Sequence, residues 1–145
     1  MMTMTSGFPG AWLLAMVGSA LTLLPAHAIT PAEQLSAYTA QAGAPVQTAR
    51  GQKFFNSRHG KDWSCASCHG ASPTGPGKHA STGKLIAPLA PAFNPERFAD
   101  SAKTEKWFRR NCNDVVGRNC NDVVGRECIA AEKADVLAWL MTLKP

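Results

Sequence analysis

The sequence predicts an all-α domain with long loops, on three observations. Several segments carry apolar residues at helical spacing, and no segment alternates apolar and polar residues as a half-buried strand does. Residues 70–95 are dense in Gly, Pro, Ser and Thr and show no period, which reads as loop. The 145 residues suffice for one domain and not comfortably for two.

The first segment reads as targeting signal and not as fold. From Ala11 to Pro25 the chain is almost wholly apolar, and Ala26-His27-Ala28 follows as a small-x-small cleavage site. That run of 15 residues falls short of the roughly 20 needed to span a bilayer. Residues 1–28 are therefore expected to be a signal peptide and 29–145 the domain, exported to the periplasm. No Lys or Arg precedes the apolar run, a departure from the usual pattern, and a retained membrane anchor is the alternative.

The first helix is expected over Pro31–Ala42. Pro31 suits a first turn, Glu33 suits the positive end of the helix dipole, and Gly43 and Pro45 end it. A second helix is expected from about Val46 to Arg58, carrying Phe54 and Phe55. Within the loop region, Leu85-Ile86-Ala87-Pro88-Leu89-Ala90-Pro91 is apolar but broken by prolines. Apolar residues without regular structure cover something, either a cofactor face or the protein itself. A third helix is expected over about Ser101–Arg110, with Trp107 and Phe108 marking its buried side. The last runs from about Ala130 to Leu143, where Val136, Leu137, Leu140 and Met141 recur at helical spacing beside Trp139.

All the Lys, Arg, Asp and Glu residues follow position 28, and their net charge is +5. The excess is diffuse, with no basic run, which argues against nucleic acid; it fits docking to an acidic partner or simple solubility. Five cysteines suit an oxidising compartment.

Cys65-Ala66-Ser67-Cys68-His69 is the haem c attachment motif. Two thiols separated by two residues reach the two vinyl groups on one edge of a porphyrin, and the following His69 supplies an imidazole to the iron. A zinc site would need a second ligand pair, and the chain has no other Cys-x-x-Cys. One covalently attached haem c, held by Cys65, Cys68 and His69, is the expected cofactor. Gly51, Phe54, Phe55 and Trp139 fit a class I cytochrome c-like arrangement, in which first and last helices cross beside the haem edge.

The sixth ligand is the open question. After residue 28 the chain has one methionine, Met141, on the terminal helix where it is expected to pack, so the usual thioether ligand is missing. His59 and His79 lie ten residues either side of His69; His79 offers a bis-histidine alternative, and both also read as surface histidines. Arg110-Asn111-Cys112-Asn113-Asp114-Val115-Val116-Gly117 is repeated at once as Arg118-Asn119-Cys120-Asn121-Asp122-Val123-Val124-Gly125, and Arg126-Glu127-Cys128 begins a third copy. Two units cannot build a solenoid. Cys112, Cys120 and Cys128 are eight residues apart. Eight helical residues rise about 12 Å, whereas a disulfide needs Cα atoms within roughly 7 Å. Any pairing therefore requires the chain to turn back, and one thiol is left over.

The segments Gly83–Pro91, Arg97-Phe98, Glu105–Cys112 and Ala131–Asp135, together with the haem motif, resemble the SHP-type oxygen-binding cytochromes c. The resemblance implies a class I-like monohaem fold. It also implies an iron held by His69 and an Asn side chain that departs on reduction, so that oxygen, nitric oxide or carbon monoxide binds. A dihaem cytochrome c and a membrane b-type cytochrome are the implied partners. The family has one Asn-Cys pair with a second Cys eight residues on; here Asn111 and Asn119 both qualify. Asn111 is preferred, because it stays fixed to the helix of Trp107 and Phe108. The resemblance then implies a Cys112–Cys120 disulfide, with Cys112–Cys128 the larger alternative. Arg109 and Arg110 flank Asn111, where one of them could stabilise an anionic ligand or pair with a propionate. An amide oxygen is a hard, weak donor that suits ferric iron better than ferrous. A plain electron carrier with a filled sixth position is the alternative function, and no positioned acid–base group argues for a dedicated enzyme.

Overall fold

The computed structural model describes residues 28–59, 63–112 and 126–145. The expected signal segment lies outside them, apart from Ala28. No helix among the described residues is long and apolar enough to cross a membrane.

Helix α1 spans Pro31–Ala42. Thr30 caps it reciprocally: its Oγ1 accepts the Glu33 N–H at 3.2 Å, and the Glu33 carboxylate accepts the Thr30 N–H at 2.8 Å. Gly43 ends it in the left-handed conformation, φ 60°. Helix α2, Thr48–Asn56, is shorter than the expected Val46–Arg58. It starts later because Gln47 is extended and caps the first turn, its carbonyl accepting the Gly51 N–H at 3.0 Å while its own N–H is held by Asp135 at 2.7 Å.

A four-residue helix, α3 (Ala66–His69), carries the haem motif. The loop region is not wholly irregular. Strands β1 (Gly77–Lys78) and β2 (Leu85–Ile86) pair antiparallel in the register Gly77↔Ile86 and Lys78↔Leu85. Two-residue strands leave no alternating pattern to read. Helix α4, Ser101–Asn111, starts on Asp100, whose carboxylate accepts the Lys103 N–H at 2.9 Å. Helix α5, Ala130–Thr142, closes the fold.

Helix α5 is central and packs on both α1 and α2. A Cβ on Gly51 would lie 2.0 Å from the Asp135 carbonyl oxygen, so only glycine allows the α2–α5 approach. The close crossing with the last helix is thus made by α2, not by the first helix. Asp135, almost fully buried, accepts the Gln47 N–H and pairs with Arg50, locking the same crossing. On one side of α5, Phe55, Val136, Trp139 and Leu140 form the core with Phe54, Leu89 and Phe98 against them. On the other, Tyr38, Ala134 and Leu137 pack with Phe108 and Met141. Lys133 on α5 ties down α4 through Glu105 at 2.8 Å, and its ammonium lies 5.6 Å from the Tyr38 ring centre.

The disulfide joins Cys112 to Cys128, with Cα atoms 5.6 Å apart. This corrects the expected Cys112–Cys120 pairing in favour of the larger ring. Cys112 ends α4 and Cys128 lies two residues before α5, and the helices are held together there. Both cysteines are buried against Phe54 and Phe108. Cys120 and Asn119 lie outside the described residues.

Candidate functional site

The haem motif folds as one helical turn. Cys65 precedes α3 in helical conformation, and its carbonyl accepts the Cys68 and His69 N–H groups at 3.3 and 3.1 Å. Helical spacing places Cys68 and His69, three and four residues on, over the same face as Cys65. The turn is held open-ended by a reciprocal serine pair. Ser67 Oγ accepts the Ser64 N–H at 2.9 Å, and Ser64 Oγ accepts the Ser67 N–H at 3.1 Å. Neither Cys65 nor Cys68 is in a disulfide.

Three elements clamp this turn. The His69 ring lies 6.2 Å from that of Phe55 on α2. A Cβ on Gly77 would fall 2.2 Å from the Cys68 carbonyl oxygen, so the hairpin closes onto the turn at a position only glycine fits. Beyond β1, the Ala80 N–H reaches Cys68 Sγ at 3.4 Å. Burial pushes the Cys65 thiol up to about 11. Burial first, and the charge of Arg97 second, lower His69 to about 4. Its imidazole is therefore neutral at pH 7, the form with a lone pair for a metal.

Above the turn opens a cavity of about 860 Å³, within the roughly 300–1,000 Å³ typical of cofactor sites. Cys65, Cys68 and His69 line it together with Phe54, Phe55 and Leu140. The proline-broken segment lines it through Leu85, Ile86, Ala87 and Leu89, and Leu89 also packs on the core of Phe55 and Trp139. That segment is pinned from behind, where the Leu89 and Ala90 N–H groups both donate to the Pro73 carbonyl at 3.1 Å. A large apolar slot, two free thiols at its base and a neutral imidazole beside them fit a covalently bound haem.

Helix α4 forms the facing wall through Lys103, Thr104, Trp107, Phe108, Arg110 and Asn111. Asn111 is its last residue. Trp107, expected on the buried side, is 43% exposed. It faces the cavity, with the Arg110 guanidinium 5.6 Å from its ring centre. Met141 packs by Tyr38 and Leu137 and does not line the cavity. His59 is stacked on Phe54, ring centres 4.2 Å apart, and also lies off the cavity. His79 does line it, from the turn between the strands. Its Nδ1 accepts the Thr82 N–H at 3.2 Å.

Two features escaped the sequence reading. The short helix α3 is below the length at which periodicity speaks. Arg97, quoted there only as part of a resemblance, lines the cavity and donates to the carbonyls of Ala87 and Pro88.

A family model described as "Domain of unknown function (DUF1924)" matches residues 41–121 and 116–140, and the two matches meet inside the tandem repeat. The chain is 47% identical over 115 residues to the cytochrome c-type protein SHP of Cereibacter sphaeroides, covering 77% of this chain and 82% of that protein. It is 40% identical over 134 residues to cytochrome c'' of Methylophilus methylotrophus, covering 83% and 88% respectively. Among solved structures, oxidized SHP, described as an oxygen binding cytochrome c, is similar with a TM-score of 0.67 at 47% identity, over 79% of this chain and 97% of that one. Oxidized cytochrome c'' from Methylophilus methylotrophus has a TM-score of 0.66 at 34% identity, over 79% and 95%.

Proposed function

We propose a function from one premise: the chain belongs to the SHP family of c-type cytochromes and carries a single covalently bound haem c. On that premise it is an exported, periplasmic protein that transfers electrons and binds small diatomic ligands such as oxygen, nitric oxide or carbon monoxide. Electrons would pass to and from redox partner proteins, a dihaem cytochrome c and a membrane b-type cytochrome being the pair the family resemblance implies.

When bound, the haem supplies one-electron chemistry and an iron with one position available to a small molecule. Cys65 and Cys68 would hold it covalently, and His69, neutral at pH 7, would donate its imidazole nitrogen to the iron. Asn111 is assigned as the labile sixth ligand. Its carboxamide oxygen is a weak, hard donor, adequate toward ferric iron and poor toward ferrous. Asn111 would thus be a weak, releasable donor to that iron, carried on the end of α4 that the Cys112–Cys128 disulfide anchors. The observation that carries this reading is Asn111 on the wall of the His69 cavity, where no methionine is present.

The absorption spectrum of the holoprotein tests it. A ferrous form that is high-spin and binds carbon monoxide is expected, and Asn111→Ala is expected to change the ferric spectrum where Asn119→Ala does not. A low-spin ferrous form indifferent to carbon monoxide would refute the proposal and leave an electron carrier with a permanently filled sixth position.

A further inference from the structure

The positive charge, diffuse along the sequence, gathers on one helix of the fold. Helix α4 carries Lys103, Lys106, Arg109 and Arg110, all exposed. Its single carboxylate, Glu105, is taken up by Lys133 of α5 at 2.8 Å. Lys103, Lys106, Trp107 and Arg110 stand at i, i+3, i+4 and i+7, which is one stripe of a helix. Thr104, buried, and Phe108, half-buried, lie on the other side, so the stripe is the outer face of α4. Among the described residues no carboxylate forms an ion pair with any of the four cations.

Helix stability does not account for this stripe. Lys103 stands in the first turn, where the helix dipole disfavours a cation, and α4 has no acidic residue there. Only Arg109 and Arg110 fall in the last turn, where the dipole favours them. Lys103 and Lys106 are three residues apart, and Lys106 and Arg110 four apart, spacings at which like charges repel. A self-repelling row that the helix does not need suits a negative surface outside the molecule. Within it Trp107 is 43% exposed, with the Arg110 guanidinium 5.6 Å from its ring centre. Trp and Arg are enriched among the residues that dominate binding energy at protein interfaces. Trp107 also lines the cavity of His69, so the stripe borders the cofactor site. A lipid surface fits poorly, because an interfacial helix presents its apolar face to the membrane. That of α4 is turned inward, where Phe108 meets Tyr38 and Phe98.

We propose that the outer stripe of α4 is the docking surface for an electron-transfer protein with a carboxylate-rich face. Such a partner sits on the helix that walls the cofactor cavity, with Trp107 between the two. The proposal rests on the electron-carrier half of the proposed function and holds whichever side chain is the sixth ligand.

Oxidised flavodoxin, a small acidic electron-transfer protein, serves as the probe. Calorimetric titration into the ferric holoprotein reads its binding at about 10 mM ionic strength, where the Debye length is about 30 Å. Lys106→Glu/Arg109→Glu reverses two exposed charges that do not line the cavity, and should weaken binding about tenfold. Lys53→Glu/Lys144→Glu makes the same change of net charge at exposed positions outside α4, and should weaken it less than about twofold. At about 1 M salt, with a Debye length near 3 Å, the difference should vanish. The Trp107 indole N–H resonance should shift as the probe is added. Equal weakening by the two pairs, or an unmoved Trp107 resonance, overturns the proposal. Lys106→Gln/Arg109→Gln should fall between parent and reversal, and it carries the same test should the reversed pair fail to fold. Sedimentation of the parent with phosphatidylglycerol vesicles, lost in Lys106→Glu/Arg109→Glu, would assign the stripe to lipid and likewise overturn the proposal. Neutral hydroquinone reads electron uptake without docking, and it should reduce parent and variants alike. A parent that accepts no electron from it refutes the electron-carrier reading itself, and the partner's class with it.

Discussion

Substituting Gly51 by Ala puts the α2–α5 crossing to a direct test. The added Cβ would sit 2.0 Å from the Asp135 carbonyl oxygen and 2.8 Å from the Val136 nitrogen, where ordinary contact begins near 3.4 Å. Both obstacles are backbone atoms in the middle of α5, so no rotamer change relieves the clash. Helix α2 must retreat by about 1.4 Å (3.4 − 2.0). A gap of 0.5–1 Å already forfeits roughly a quarter to a half of the dispersion attraction across an interface. The contacts at risk are those of Phe55 with Trp139, whose ring centres are 5.0 Å apart, and with Val136 and Leu140. The Gln47–Asp135 hydrogen bond would be stretched as well. Overpacking costs typically about 1–3 kcal/mol and occasionally more; with its obstacles fixed in backbone, this site belongs at the upper end, about 3 kcal/mol. For a domain of this size that is a fall in Tm of roughly 10–15 °C. Thermal unfolding of the holoprotein, followed by far-UV circular dichroism, measures it. A variant melting within about 3 °C of the parent would mean that the helices separate freely, and that the close approach does not hold the cavity floor.

Two further outcomes follow from the packing of α4. Replacing Cys112 and Cys128 together by Ser opens a ring spanning 16 residues of sequence separation, a loss of about 3 kcal/mol on the chain-entropy model; denaturant titration of the holoprotein reads it, and an unchanged midpoint refutes it. Burial opposes the ionisation of Glu105, but the Lys133 ammonium, which donates to its carboxylate at 2.8 Å, outweighs it and holds the carboxyl below the ordinary glutamate value of 4.5. A depressed folded-state value means that this contribution to stability is complete above pH 4.5 and is lost as pH falls through the folded value. Glu105→Gln should therefore flatten the stability profile below pH 4.5, and an acid limb as steep as the parent's would exclude the pair as its source.

The sequence was most legible where a residue's role is set by its near neighbours. Thr30, Pro31, Glu33 and Gly43 delimit α1 because capping is local chemistry, and Cys65, Cys68 and His69 announce their cofactor because one helical turn brings them together. Legibility failed where the partner is distant in the chain. Gln47 stays extended at the start of α2, where its N–H is held by an acceptor 88 residues away, at Asp135. Trp107 reads as core by composition, yet it lines a cavity that exists only once α3, the hairpin and α4 are assembled. Arg97 has no partner legible in its neighbours, because the carbonyls it meets, Ala87 and Pro88, lie ten and nine residues away. The disulfide was undecidable from spacing, since three cysteines at equal intervals offer no local preference; the packing of Phe54 and Phe108 at the ends of α4 and α5 decides it.

That decision also explains how the chain tolerates a perfect tandem copy beside its proposed ligand. The second copy, Arg118 to Gly125, falls in sequence between the two bonded cysteines. Against the eight-residue spacing of the SHP pattern, the ring has doubled to 16. Each doubling of a closed loop costs only about 0.6 kcal/mol in closure entropy, small against the stability of a folded domain. The alternative, keeping the short ring at Cys120–Cys128, would release Cys112 from its buried seat against Phe54 and Phe108. It would also leave the end of α4 unanchored at Asn111, on the cavity wall. A covalent ring lengthened in sequence between its two cysteines keeps both described helix ends, so the energetics favour carrying the extra residues between the cysteines and leaving the proposed ligand on α4.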